Sequence, residues 1–158
     1  MNPIVHIYTD GSVQSNPGPG GWAAILIYAV RAKVIGGFDK NTTNNRMEAE
    51  AVAKALVALK CSCQVVFFTD SQYVIFGLHR LFRGAFQVKN QDIWERIREA
   101  VPKHNVRVEK VRGHAYDWLN DAVDYYAAQC SEKQEILNGN GYQDLGVLKA
   151  LGLKRRVK

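Results

Sequence analysis

Two apolar runs of this chain end alike, in Ile4-Val-His-Ile-Tyr-Thr-Asp10 and in Val65-Val-Phe-Phe-Thr-Asp70. β-Branched and aromatic residues that stop at an aspartate read as strands running into a turn. If the two strands are parallel neighbours, as a long connection containing a helix favours, both carboxylates emerge at the carboxyl edge of one sheet. Open α/β sheets bind their ligands at that edge. Each residue also has an ordinary reading, Asp10 as a turn former and Asp70 as a helix cap. Glu48 sits in the first turn of a helix entered through Thr42-Thr43-Asn44-Asn45, where it would also complement the helix dipole. Asp117, Asp121 and Asp124 lie at helical spacing near the start of a later helix, where a solvated acidic face is the alternative. Converging without a cation, such carboxylates would repel and raise one another's pKa. Hard divalent ions, Mg²⁺ or Mn²⁺, resolve that conflict, and a pair roughly 3.5 to 4 Å apart can activate water against a phosphodiester.

The elements that must position these groups follow from periodicity. Ile4 to Tyr8 is a strand ending at Asp10. Trp22 to Tyr28 and Lys33 to Phe38 are separated by a short turn and predict an antiparallel meander. Met47, Ala51, Ala55 and Leu59 recur every four residues behind the Thr42-Thr43-Asn44-Asn45 cluster of capping side chains, a helix with Val52 and Leu56 widening its stripe. Val65 to Thr69 is the fourth strand, Ser71 to His79 and Asp92 to Val101 are helices, Val106 to Val111 is the fifth strand, and Leu119 to Gln134 is the helix that precedes the tail. This order predicts an α/β class with a mixed five-stranded sheet, three antiparallel strands then two parallel, flanked by helices.

The chain has 158 residues, 47% hydrophobic and 23% charged, a composition that fits one compact domain and excludes collagen-like, disordered and coiled-coil classes. The boundaries expected are a domain over 1–137 and a basic C-terminal tail over 138–158. The longest apolar run, Trp22 to Val30, has nine residues, against the ~20 of a membrane span, and the N-terminus carries no pattern of a secretion signal. Cys61, Cys63 and Cys130 are odd in number and lack zinc-ligand spacing, so they read as reduced thiols of a reducing, cytoplasmic compartment. Net charge is +6, and the last ten residues carry five basic and no acidic side chains. Residues 79 to 112 hold nine basic and four acidic residues, so basic segments flank an acidic remainder. That distribution suits a polyanion lying beside a carboxylate cluster.

Taken together, Tyr8-Thr-Asp10-Gly-Ser12, Asn16-Pro-Gly-Pro-Gly-Gly21, Thr42-Thr-Asn-Asn-Arg-Met-Glu48, Thr69-Asp-Ser-Gln-Tyr-Val74, and Gly113-His-Ala115 followed by Asn120-Asp-Ala-Val-Asp124 resemble type 1 ribonuclease H in order and spacing. The resemblance covers about residues 3 to 130 and implies a single ribonuclease H-like domain. It implies an endonuclease that hydrolyses the RNA strand of RNA/DNA hybrids with two Mg²⁺ ions, Mn²⁺ being a possible substitute, leaving 5′-phosphate and 3′-hydroxyl ends. On the same resemblance, Asp10, Glu48, Asp70 and Asp124 match the catalytic, metal-binding carboxylates. Asp124 is preferred to Asp121 because it follows the Asn120 pattern and the His114 spacing. His114 is similar to the family's mobile-loop histidine, which assists proton transfer and product release.

Asn16, Asn44, Asn45 and Gln72 match substrate contacts, and their amides can donate to and accept from 2′-hydroxyls and minor-groove base edges. Gly11, with Gly20, would let the backbone approach the ribose. Thr43, Arg46 and Asn90 resemble the pocket that grips a DNA-strand phosphate, with the nearby helix N-terminus adding donors. The expected partner is the RNA/DNA hybrid, with no membrane, for a cytoplasmic monomer. Two departures stand out. Leu78 to Lys89 is short and modestly basic where many bacterial members carry a long basic handle. The tail from Leu145 to Lys158 has no family counterpart, though Leu145, Leu148 and Leu151 are spaced to dock a short helix. The alternatives are a DNA-directed nuclease of the same superfold, against which the ribose-reading amides argue, and a non-catalytic hybrid-binding module, against which the four carboxylates argue.

Overall fold

A computed structural model describes residues 2–85, 87, 89–111, 117–139 and 143–156, the last four by backbone alone. The first three strands, β1 (Ile4–Val13), β2 (Gly18–Tyr28) and β3 (Arg31–Thr42), form the expected antiparallel meander. Helix α1 (Asn44–Ala58) leads to β4 (Gln64–Thr69), which lies parallel to β1 with Tyr8 opposite Phe68. Then come α2 (Gln72–Phe82), α3 (Gln91–Ala100), β5 (Asn105–Lys110) parallel to β4, and α4 (Trp118–Lys133). Strand β1 does not stop at Asp10. Gly11, Ser12 and Val13 go on pairing with Trp22, Gly21 and Gly20, because β2 is long enough to partner them.

The sheet has six strands rather than five, in the order β5-β4-β1-β2-β3-β6. The additional strand, β6 (Gln143–Asp144), pairs antiparallel with Arg31 and Ala32 at the start of β3. It is followed at once by α5 (Leu145–Arg156), whose first turn is capped by the Asp144 carboxylate accepting from Gly146 N at 2.8 Å and Val147 N at 3.3 Å. Two polar residues have no alternation to detect, so this strand comes from tertiary context alone.

Each face of the sheet buries a separate apolar layer, and β2 contributes to both. Trp22, Ala24 and Leu26 face α1 and α3 together with Ile7, Phe67, Val52 and Ile97. Ala23, Ile25 and Ile27 face the other way, against Ala122, Val123 and Ala127 of α4 and Leu148 of α5. A strand covered on both sides reads as an unbroken apolar run, as Trp22 to Ile27 does. Among the described residues no helix is long and apolar enough to cross a membrane.

Leu148 is fully buried, 0% exposed, so the tail segment is anchored in the second layer. Leu148→Ala is expected to cost about 2 to 5 kcal/mol, measured by urea denaturation. An unchanged midpoint would mean that α5 lies on the domain without contributing to its core.

Candidate active site

Pairing between β1 and β4 ends at Tyr8 and Phe68, while β1 itself continues alongside β2. The two strands part at their carboxyl ends, and Asp10 and Asp70 stand where they part. Asp10 is 8% exposed and accepts from Gly11 N at 2.9 Å, whereas Asp70, just past the end of β4, is exposed. Asp70 does not cap α2. Ser71 does, its hydroxyl accepting from Val74 N at 3.1 Å, which leaves the Asp70 carboxylate uncommitted by capping.

Glu48 also is 8% exposed and takes a hydrogen bond from Asn44 Nδ2 at 3.0 Å. It comes close to β1 because Gly11 has no side chain: a Cβ there would stand 2.6 Å from Glu48 N and 2.8 Å from the Met47 carbonyl carbon. Gly11 therefore has a packing duty towards α1 beyond any approach to a ribose. At the start of α4, Asp117 is spent as the N-cap, accepting from Asn120 N at 3.3 Å. Asp124, two turns further in, is a residue of that helix that interacts with Asp10.

The electrostatics tie the four together pairwise. Burial, then the charge of Asp70, then a hydrogen bond and charge from Asp124 push the Asp10 carboxyl up to about 9, against a small opposing pull from Gly11 N–H. Glu48 is also raised, first by burial and then by Asp70, while the Ser71 hydroxyl and the Asn44 amide act the other way. No three His, Cys, Asp or Glu side chains among the described residues form a ready-made coordination shell. The donors are nevertheless all hard oxygens, and repulsion among them is what a divalent cation would relieve, so their chemistry fits Mg²⁺ or Mn²⁺.

This arrangement carries a pH signature. The folded value of about 9 for Asp10 lies above its unfolded value of 3.8, so the native state keeps a proton that the unfolded chain releases. Stability from this group is complete below the unfolded value and is lost as pH rises through the folded one, at up to about 1.4 kcal/mol per pH unit. Thermal midpoints of metal-free protein should fall between pH 5 and 9, and Mg²⁺ should raise them most at the alkaline end. A flat profile insensitive to Mg²⁺ would detach Asp10 from the cluster.

The other expected site residues fall into two groups. Beside Glu48, Asn16 Oδ1 accepts from Asn44 N at 3.2 Å, joining the loop after β1 to the start of α1, while Asn45 and Gln72 are exposed at the first turns of α1 and α2. Thr43 caps α1 by accepting from Arg46 N at 3.3 Å. Two first-turn amides of α1, those of Asn44 and Arg46, are thus already bonded within the chain, which reduces the donors left for an anion. Arg46 reaches across to α3, with Nη1 on Asn90 Oδ1 at 3.2 Å and both guanidinium nitrogens on Asp92, at 3.0 and 2.7 Å. That fork holds Asp92 below the usual carboxylate range. Asp92 and Tyr73, the second partner of Asn90, have no local signal in the sequence, since their role comes from helices meeting in space. His114 lies outside the described residues.

Comparisons with known proteins bear on the family of the chain as a whole. The family model for RNase H matches residues 2–132. A Ribonuclease H of Caldicellulosiruptor saccharolyticus is 46% identical over 138 residues, covering 80% of this chain and 94% of the relative. A Ribonuclease HI of Caulobacter vibrioides is 44% identical over 137 residues, covering 80% and 92%. Among solved structures, LC9-RNase H1, a type 1 RNase H with the type 2 active-site motif, superposes with a TM-score of 0.78 at 26% identity, covering 96% of this chain and 81% of its own. LC11-RNase H1, solved in complex with an RNA/DNA hybrid, shares the fold with a TM-score of 0.61 at 23% identity, covering 82% and 97%.

Proposed function

The chain belongs to the ribonuclease H family, and from that membership we propose that Asp10, Glu48, Asp70 and Asp124 are its catalytic carboxylates. It is a hydrolase, an endonuclease acting on the RNA strand of RNA/DNA hybrids. The observation that supports the site is Asp10, a buried carboxyl raised by burial, Asp70 and Asp124 together. Such an arrangement is costly to the fold unless a cation offsets it. The four carboxylates would hold two Mg²⁺ ions, with Mn²⁺ as a substitute. When bound, these supply an activated water and neutralise charge developing on the scissile phosphodiester.

The chain's own residues orient the substrate. Asn16, Asn44, Asn45 and Gln72 recognise 2′-hydroxyls and minor-groove edges, and Gly11 brings the backbone close to the ribose. Thr43, Arg46 and Asn90 grip a DNA-strand phosphate, which for Arg46 means exchanging Asp92 for the phosphate; an exposed ion pair of that kind is weak enough to yield. His114 assists proton transfer and product release, and cleavage leaves 5′-phosphate and 3′-hydroxyl ends. The protein acts as a monomer in the cytoplasm, a compartment supported by three free thiols.

The test is cleavage of a labelled RNA/DNA hybrid beside duplex DNA and duplex RNA, each with and without Mg²⁺. Only the hybrid should be cut, and only with the metal. Equal cutting of duplex DNA would point to a DNA-directed nuclease, and tight hybrid binding without cutting to a silent module.

A further inference from the structure

The side chain of Asn90 is held from both ends. A guanidinium has only donors to offer, so the amide must turn Oδ1 towards Arg46, from which it accepts at 3.2 Å. Nδ2 then points away and donates to the Tyr73 hydroxyl at 2.8 Å. The same hydroxyl accepts from Trp94 Nε1 at 3.0 Å, and the two rings meet edge to face, 72° apart with centroids separated by 5.9 Å. Trp94 has no freedom to follow a moving partner. It is buried, and it lies so close on α2 that a Cβ at Gly77 would come within 2.1 Å of its ring.

The Asn90 backbone is equally constrained. It is left-handed, with φ of 57°, a conformation asparagine tolerates better than most residues, and its carbonyl accepts from both Ile93 N and Trp94 N at 3.1 Å. The two side-chain torsions remain, and the Tyr73 hydroxyl, opposite Arg46, is what fixes them. Without that acceptor, Nδ2 would be left without its partner inside a half-buried pocket, and the amide would be free to rotate off Arg46.

Resting on the phosphate-grip reading of Asn90 and Arg46, we propose that Tyr73 is a positioning residue for substrate binding, its hydroxyl fixing the Asn90 amide while touching no substrate itself. Tyr73 follows Gln72 directly on α2, three residues after Asp70, so it ties the distance between phosphate grip and carboxylates to a rigid helix.

The experiment measures hybrid cleavage, as KM and kcat, for the intact protein, Tyr73→Phe, Asn90→Ala and the double variant, with thermal melts of each. Phenylalanine keeps the ring and its contact with Trp94 and removes only the hydroxyl. Tyr73→Phe should raise KM about fivefold, the order of one net hydrogen bond, with kcat at saturating hybrid unchanged. The double variant should bind no worse than Asn90→Ala alone, since both changes act on one interaction. Additive effects, a KM within twofold of the intact protein when Asn90→Ala raises it, or a fall in kcat matching the rise in KM would overturn the role of Tyr73. An unchanged KM in Asn90→Ala would instead overturn the phosphate-grip reading, and the proposal with it.

Discussion

Asp10→Asn is expected to abolish hydrolysis, by at least ~10³-fold, while making the metal-free protein more stable at neutral pH. The two effects have one cause. At neutral pH the metal-free fold must keep a proton on Asp10, 8% exposed and facing Asp70 and Asp124, which the unfolded chain releases. Asparagine is neutral without that cost and keeps an oxygen of the same shape to accept from Gly11 N. With cations bound, the substitution removes a ligand charge for which Asn has no replacement. Single-turnover cleavage under saturating Mg²⁺, set beside urea melts in a chelator, reads both effects. Near-native turnover would end the assignment of Asp10, and a less stable metal-free variant would contradict the electrostatic account of the cluster.

Gly21→Ala should strongly destabilise the fold. Gly21 lies mid-sheet, opposite Ser12 of β1 and Phe38 of β3, so its strand cannot shift sideways. A Cβ there would stand 2.3 Å from Ser131 N and 2.7 Å from Ala127 O, both main-chain atoms of α4. Flexible side chains can yield to such an intrusion, but a helix backbone moves only as a body. The expected cost is at least ~3 kcal/mol, at the upper end of overpacking. Activity should fall further than the folded fraction does, because the displaced helix carries Asp124. Urea melts and cleavage rates corrected for folded fraction check this, and a loss under about 1 kcal/mol would mean that α4 is seated less tightly than its contact with β2 implies.

What could be read from the residues was mostly local or periodic. A capping side chain within Thr42 to Asn45, the apolar run of β2 and the end of β4 before Asp70 follow from chemistry within a few positions, and the structure has them so, whereas β1 runs on past Asp10. The parallel pairing of β1 with β4 is what a long connection containing a helix favours. What escaped depends on distant segments meeting. Strand β6 exists because the start of β3 offers it a partner, and the Arg46 fork on Asp92 because α1 and α3 are neighbours. Ser71, rather than Asp70, caps α2, a choice between adjacent residues that composition alone cannot make. Gly11 illustrates the same limit at the site itself, since a turn-forming glycine and one admitting a helix backbone look identical in sequence.

The two rims of the sheet are defended by different means. On one side, β6 and the bridge between Gly36 and Leu137 occupy much of the outer line of β3 with the chain's own backbone. On the other, β5 has no neighbour beyond β4 among the described residues, and its exposed positions are Asn105, Arg107, Glu109 and Lys110. Charged side chains there discourage a second molecule from adding a strand. Backbone cover is indifferent to ionic strength, whereas charge is screened within about 8 Å at physiological salt and within about 3 Å at 1 M. Concentrated, high-salt solutions therefore expose one rim selectively, and any self-association through the sheet would begin at β5.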